Sequence, residues 1–260
     1  MVEYREIALG AVGSTNDECL KAAAEGDPGG LWLTAGEQTR GRGRAGKVWA
    51  SVPGNLYASV LLVDPCELFF ASQLSFVSAL AVFAAAETVT GLSFPRITIK
   101  WPNDVLLDGD KFCGILLESA RISRRNCDAV VIGFGVNIAG VPEGLPYGAT
   151  ALGRYRPGIT ARDVFTCLSG HFARTLELWN GGRFSQDGPP RRVPDFAVIR
   201  RQWLTYARGL GETVTLHMPN GDITGVFEGV DQYGRLELLS PEHGLFKINA
   251  GDLFFGPPAG

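Results

Sequence analysis

The sequence has little of what most directly fixes a protein's class. Histidine is scarce: His171, His217 and His243 lie far apart with no metal-ligand spacing, so structural or surface roles are expected for all three. The five cysteines, Cys19, Cys66, Cys113, Cys127 and Cys167, are odd in number, scattered, and contain no CxxC pair. They suggest neither a disulfide framework nor a zinc site, and fit a reducing cytosol. No basic stretch followed by an apolar core opens the N-terminus, MVEYREIALG, so no secretory leader is read there and a cytoplasmic protein is expected. Positive charge is not in excess. With 24 Lys and Arg against 27 Asp and Glu, the formal charge is -3, which argues against a broad basic face for nucleic acid and confines anion binding to a local pocket. A long unbroken apolar run is missing too. Leu68 to Thr90 comes nearest, but Gln73, Glu87 and several serines interrupt it, and a buried helix is preferred over a membrane span. No repeat or low-complexity segment is present.

What is there is ordinary globular material. Hydrophobic residues at 45% and charged residues at 20% fit neither disorder nor a fibre, and 260 residues suit one large domain and a small one. Thr15 followed by Glu18 is a capping-box pattern, opening a helix that Gly26 closes. Strands are expected at 31 to 35, 55 to 62, 96 to 101, 112 to 120 and 128 to 138, with the long helix at 68 to 90 between the second and third. LeuAspGlyAspLys at 107 to 111 signals a hairpin. Helices at about 161 to 180 and 194 to 207 flank a loop rich in Gly, Pro and Arg. From Gly211 the pattern changes to short strands with turns at ProAsnGlyAsp, 219 to 222, and AspGlnTyrGly, 231 to 234, which predicts a small β-barrel appended to the α/β core.

The stretch TRGRGRAGKVW, residues 39 to 49, sets three arginines and a lysine among glycines just after an apolar run. Its GxxxxGK spacing is that of a phosphate-binding P-loop, but Val48 stands where Ser or Thr would hold magnesium. Nor is it an RGG tail, since such tails are long and repeated and this stretch lies between two strands. The favoured reading is a loop whose glycines let the backbone approach a ligand and whose arginines neutralise phosphate or carboxylate. Three other clusters stand out. Ser14, Thr15 and Asn16 gather at a helix start, where capping explains one or two of them. LysTrpProAsnAsp at 100 to 104 places a cation, an amide and a carboxylate around a turn. GlyPheGlyValAsn at 133 to 137 ends a β-run with no GxGxxG-helix unit after it, so its glycines read as close backbone approach in a sheet.

In this order, and with LysPheCysGlyIle at 111 to 115, these motifs resemble the biotin protein ligase family, from Ser14 to about Leu253. The resemblance implies an α+β fold: a mixed β-sheet packed with helices, like the core of class II aminoacyl-tRNA synthetases and biotin and lipoate ligases. A catalytic, biotin- and ATP-binding domain would take residues 1–207, and residues 208–260 a small SH3-like β-barrel. Arg40 departs from the family's usual alanine and Lys47 from its arginine, and both keep or add positive charge.

The activity implied is an ATP-dependent ligation that forms biotinyl-5'-AMP, releases pyrophosphate, and passes biotin to a lysine of a biotin carboxyl carrier domain. Lys111, Asp104 and Arg42 are the catalytic candidates. Lys111 would lie between the biotin carboxylate and the α-phosphate, because two anions must meet there and cations must flank them. Ser14, Thr15, Asn16 and Gln38 offer hydroxyls and amides suited to a ureido ring. Gly41, Arg42, Gly43, Arg44, Trp49, Lys111 and Gly114 complete the biotin side, with a core role for Trp49 equally open. Arg44, Lys47, Lys100, Asn103, Lys111 and Asn137 are assigned to ATP. Magnesium arrives on the triphosphate, with Asp104 the nearest carboxylate; Asp104 also serves as base for, or orients, the carrier lysine. Arg42 is the expected latch of the loop. The rivals are a lipoate or octanoate ligase of the same fold and a biotin- or nucleic-acid-binding regulator. Only 13 residues precede Ser14, so no helix-turn-helix domain is expected, and neither a nucleic acid nor a membrane is an expected partner. A homodimer stays open.

Overall fold

A computed structural model of the chain describes residues 4–122, 127–181, 194–217, 221–241, 244–249 and 251–255. Most of the Gly-, Pro- and Arg-rich loop, the start of the 219 to 222 turn, and His243 lie outside the described residues.

Strands β1 (Arg5–Val12), β2 (Leu31–Gln38), β3 (Leu56–Val63), β4 (Ile97–Lys100), β5 (Asp104–Leu107), β6 (Asp110–Ile122) and β7 (Cys127–Val136) form one sheet. Its order is β1-β2-β3-β7-β6-β5-β4, and all pairings are antiparallel except β1 with β2. β3 lies inside the sheet, between β2 and β7, and nearly every residue is buried, as a strand covered on both faces should be. Period-2 alternation splits β2 between the two faces. Trp32 packs at 5.5 Å against each of Phe134, Phe165 and Phe172, while Leu31 and Leu33 join Cys19, Leu61 and Val131 on the other side.

Helix α1 (Thr15–Glu25) covers that second face. α2 (Leu74–Thr90), α3 (Ala161–Trp179) and α4 (Phe196–Thr205) stack over the first. α2 is apolar on all sides because it is sandwiched there, so the stretch that raised a membrane span is core. The helix expected from Leu68 starts at Leu74, after a 3-10 segment at Leu68–Gln73. The capping box expected at Thr15 and Glu18 does not form. Ser14 holds the N-cap position with no side-chain cap bond, because Thr15 turns its hydroxyl to Gln38 instead. A complete capping box sits at Thr160 and Asp163, ahead of α3. Gly26 closes α1 as expected, with φ 107° and its N–H donating to Ala22 and Ala23 carbonyls.

β1 is an addition to the strands expected, and it positions the site. Its register pairs Val12 with Gln38, so Ser14, Thr15 and Asn16 emerge beside the end of β2. The β5–β6 hairpin turns on Asp108 and Gly109, with φ of 52° and 89°, the left-handed pair that an Asp-Gly turn supplies.

A second sheet contains β8 (Thr213–His217), β9 (Ile223–Val230), β10 (Leu236–Ser240), β11 (Gly244–Ile248) and β12 (Asp252–Phe255), ordered β11-β10-β9-β8-β12. It is antiparallel throughout. The turn read at 231 to 234 is built on the buried Asp231 carboxylate, which accepts from the Tyr233 and Arg235 N–H groups and from the Arg235 guanidinium. That turn docks on the larger unit. Trp101 Nε1 donates to the Gly234 carbonyl at 3.3 Å and Gln73 Nε2 to Gln232 at 3.1 Å.

Candidate active site

A cavity of about 340 Å³ opens over the β6–β7 pair. Its floor follows from strand parity: Gly114 and Leu116 alternate onto one face of β6, with Gly135 and Gly133 opposite them on β7, and Glu118 continues the same face beside the cavity. The glycines are there for space. A Cβ at Gly133 would strike the Asn16 amide, and one at Gly135 the Trp49 indole; one at Gly114 would lie 2.8 Å from the same indole. Along this floor Asn16, Trp49 and Lys111 therefore follow one another.

At the first position the polar groups form a network. Gln38 Oε1 accepts from the Thr15 N–H at 2.8 Å and from the Thr15 hydroxyl at 3.1 Å. The Ser59 hydroxyl lies 2.6 Å from both Thr15 Oγ1 and Asn16 Oδ1, and its one proton serves one of them at a time. Asn16 Nδ2 donates to Glu118 at 2.7 Å. Ser14, Thr15 and Asn16 are buried, each at most 4% exposed, so these groups are pre-set for a polar, uncharged ligand rather than for solvent.

At the other end Lys111 Nζ is 2.6 Å from Asp104 Oδ1 and lies 5.6 Å from the centroids of both the Trp49 and Tyr147 rings. Asn103 is fixed by donating its amide to the Ile115 carbonyl. Its Oδ1 accepts from Arg44 at 3.3 Å. Arg44 also reaches the Gly251 carbonyl at 3.4 Å, and Leu253 and Phe255 of β12 complete the wall. Lys47 and Lys100 border the same cavity. Cys113, inside the LysPheCysGlyIle motif, is fully buried and burial pushes its thiol far up, so it is no nucleophile.

Arg42 lines the same cavity, and two carboxylates not singled out from sequence hold it there. Its guanidinium grips Asp17 at 2.6 and 2.9 Å and reaches Glu118 at 3.2 Å. The hydrogen bond from Arg42 holds Asp17 below the usual carboxylate range, and Asp17 in turn raises the guanidinium. The expected latch is thus pinned by two carboxylates. Two candidates, Asn137 and Gly41, are not among the residues that line the cavity. Asn137 is 4% exposed, accepts from Asn55 Nδ2, and ties Phe112 and Leu152 through its main chain. Gly41 sits against the Trp49 carbonyl, where a Cβ would collide; it lets the loop close on itself. Asp17, Ser59, Glu118 and Tyr147 were not singled out from sequence. Glu118 was within reach, since it shares the parity of Gly114 on β6. The others gave no signal.

A divalent ion carried by a triphosphate would find one carboxylate lining the cavity, Asp104, already paired with Lys111. Among the described residues no group of three His, Cys, Asp or Glu is placed to hold a metal.

The fold agrees with what the chain is similar to. The model described as "Biotin/lipoate A/B protein ligase family" matches residues 14–137, and "Biotin protein ligase C terminal domain" matches residues 209–256. A biotin--[acetyl-CoA-carboxylase] ligase of Paracoccus denitrificans is 38% identical over 250 residues, 95% of this chain and 99% of that protein. The bifunctional ligase/repressor BirA of Bacillus subtilis is 30% identical over 249 residues, 94% of this chain and 71% of the repressor. The structure of the Aquifex aeolicus biotin protein ligase, solved with biotin and ATP, aligns with TM-score 0.77 and 28% identity, covering 96% of this chain and 97% of that one. The mixed sheet, the small antiparallel sheet and the two matched domains define a ligase of the biotin and lipoate class. Within it, the chain belongs to the biotin protein ligase family.

Proposed function

We propose that this chain activates biotin with ATP and transfers it to a lysine of a biotin carboxyl carrier domain of a carboxylase. One observation carries the reading: along the floor of a single cavity stand an uncharged polar network at Asn16, an indole at Trp49 and a cation at Lys111. That sequence matches a ureido ring, an apolar ring and chain, and a carboxylate.

In the first step a carboxylate oxygen of biotin forms a bond to the α-phosphorus, the bond to the bridging β-oxygen breaks, and pyrophosphate leaves. Lys111 neutralises the charge shared by carboxylate and α-phosphate, with Asp104 fixing its ammonium. Arg44, Lys47, Lys100 and Asn103 take the nucleotide side. Magnesium, when bound on the phosphates beside Asp104, screens the triphosphate. In the second step the carrier lysine attacks the acyl carbon and AMP departs; Asp104 takes or orients the ammonium proton. Catalysis belongs to residues 1–207, residues 208–260 form the small unit, whose Leu253 and Phe255 wall the nucleotide end, and the protein works in the cytosol. No nucleic acid partner is part of this function.

Incubation with ATP, magnesium and labelled biotin in competition with lipoate tests the proposal. Biotinyl adenylate and a labelled carrier domain are expected. A lipoyl adenylate, or none, overturns it.

A further inference from the structure

Two carboxylates beside the cavity, Asp17 and Glu118, take no part in either step, yet Glu118 touches both the buried polar network and the glycine-rich loop. Its Oε2 accepts from Asn16 Nδ2 at 2.7 Å, and its two oxygens each lie 3.2 Å from Arg42 Nη2. A carboxylate only accepts. It therefore forces the Asn16 amide to present its NH₂ to Glu118 and its Oδ1 to Ser59 and over Gly133, which lines the cavity, and removes the ambiguity an asparagine amide otherwise has. Asn16 is 3% exposed, so an amide turned the other way would leave a buried donor or acceptor without a partner. A ureido ring offers two N–H donors, which need that acceptor.

We infer that Glu118 is a positioning residue: it sets the Asn16 amide as an acceptor for the ureido ring and ties that end of the cavity to the loop through Arg42. The inference rests on the biotin reading above. It adds a determinant of biotin recognition that never touches biotin. The loop and the ureido end then share one anchor, so loosening it should weaken biotin binding without a matching change toward ATP.

The test uses the full chain, with biotin binding measured by calorimetry and KM for biotin and for ATP measured in adenylate formation. Glu118→Gln keeps size and shape but offers an NH₂ to one of two donors. Its biotin KM should rise roughly tenfold, the cost of one mismatched buried hydrogen bond, while KM for ATP and the melting temperature hold. Asn16→Asp should be far worse, since two carboxylates then face each other. In the double variant Asn16→Asp with Glu118→Gln the donor and acceptor are exchanged: the amide at 118 donates to the carboxylate at 16 and still accepts from Arg42. Recovery of at least several-fold in biotin affinity over Asn16→Asp alone is expected, and a merely structural role for Glu118 would not produce it. Unchanged biotin KM in Glu118→Gln, a parallel rise for ATP, or no recovery in the double variant would overturn the inference. Should Glu118→Gln lose its fold, Glu118→Asp decides by the same split between the two KM values. Failure of the wild type to make biotinyl adenylate at all is a different result, which overturns the proposed function and this inference with it.

Discussion

Lys111 holds its ammonium 2.6 Å from Asp104, and that pairing fixes where the charge sits before any substrate arrives. Charge on the transferring phosphoryl group rises in the transition state, so Lys111→Ala should lower the rate of adenylate formation about 10²- to 10³-fold. Biotin affinity should move only a few-fold, and equal losses in single-turnover rate and calorimetric Kd would contradict this. A second residue-scale outcome concerns space. A Cβ at Gly135 enters the volume of the Trp49 indole; overpacking of that kind costs about 1 to 3 kcal/mol, so Gly135→Ala should weaken biotin binding roughly tenfold or more with the fold intact. Residue identity at this scale was legible: the hydroxyls, amides and cations expected at Ser14, Thr15, Asn16, Gln38, Arg44 and Lys111 all line the cavity. Pairings were not. Nothing local in the sequence says that Arg42 spends its charge on Asp17 and Glu118, because those partners lie 25 and 76 residues away and meet only when β6 is laid beside α1.

At the scale of elements, hydrophobic period and turn chemistry read well wherever the local signal had no competitor. Asp108-Gly109 and Gly26 did what their backbone freedom predicts. The capping box at Thr15 failed because a long-range acceptor, Gln38 Oε1, won the Thr15 hydroxyl. A measurable difference follows. Thr160→Ala removes a working capping box and should destabilise the fold by about 1 kcal/mol, whereas Ser14→Ala removes no cap bond and should cost clearly less in denaturant unfolding. An equal cost at both positions would show that Ser14 caps after all. β1 escaped the sequence reading because the small residues Ala8, Gly10 and Ala11 of ArgGluIleAlaLeuGlyAlaVal blur its alternation and its positions are mostly exposed; it exists through its parallel pairing with β2.

For the molecule as a whole, what the sequence withheld was docking: that the second sheet contributes Leu253 and Phe255 to the cavity wall, and that the Asp231 turn seats on the larger unit. Desolvation pushes the Asp231 carboxyl upward, but the Arg235 guanidinium and the Tyr233 and Arg235 N–H groups outweigh it and hold the group below its usual range. Its folded form binds a proton less readily than its unfolded form. The stability it contributes is therefore complete above the ordinary carboxylate value of about 3.9 and is lost as pH falls through the lower folded value. Asp231→Asn should melt well below the wild type at pH 7, and the gap between the two melting temperatures should narrow as pH falls through the lowered folded value; a constant gap would mean the carboxylate charge is not what holds the turn. The same docking bears on the intermediate. Biotinyl adenylate is a mixed anhydride that water destroys, so the closing elements must hold it until the carrier arrives. Arg44 spans those elements: it belongs to the loop, bonds Asn103 at the β4–β5 turn, and reaches Gly251 ahead of β12. Arg42 is instead anchored to α1 and β6. Arg44→Gly should therefore still make adenylate but release it, labelling serum albumin in the presence of biotin and ATP several-fold above wild type. Arg42→Gly should chiefly weaken biotin binding. Albumin labelling by Arg42→Gly and none by Arg44→Gly would return the latch to Arg42 and refute the bridging role of Arg44.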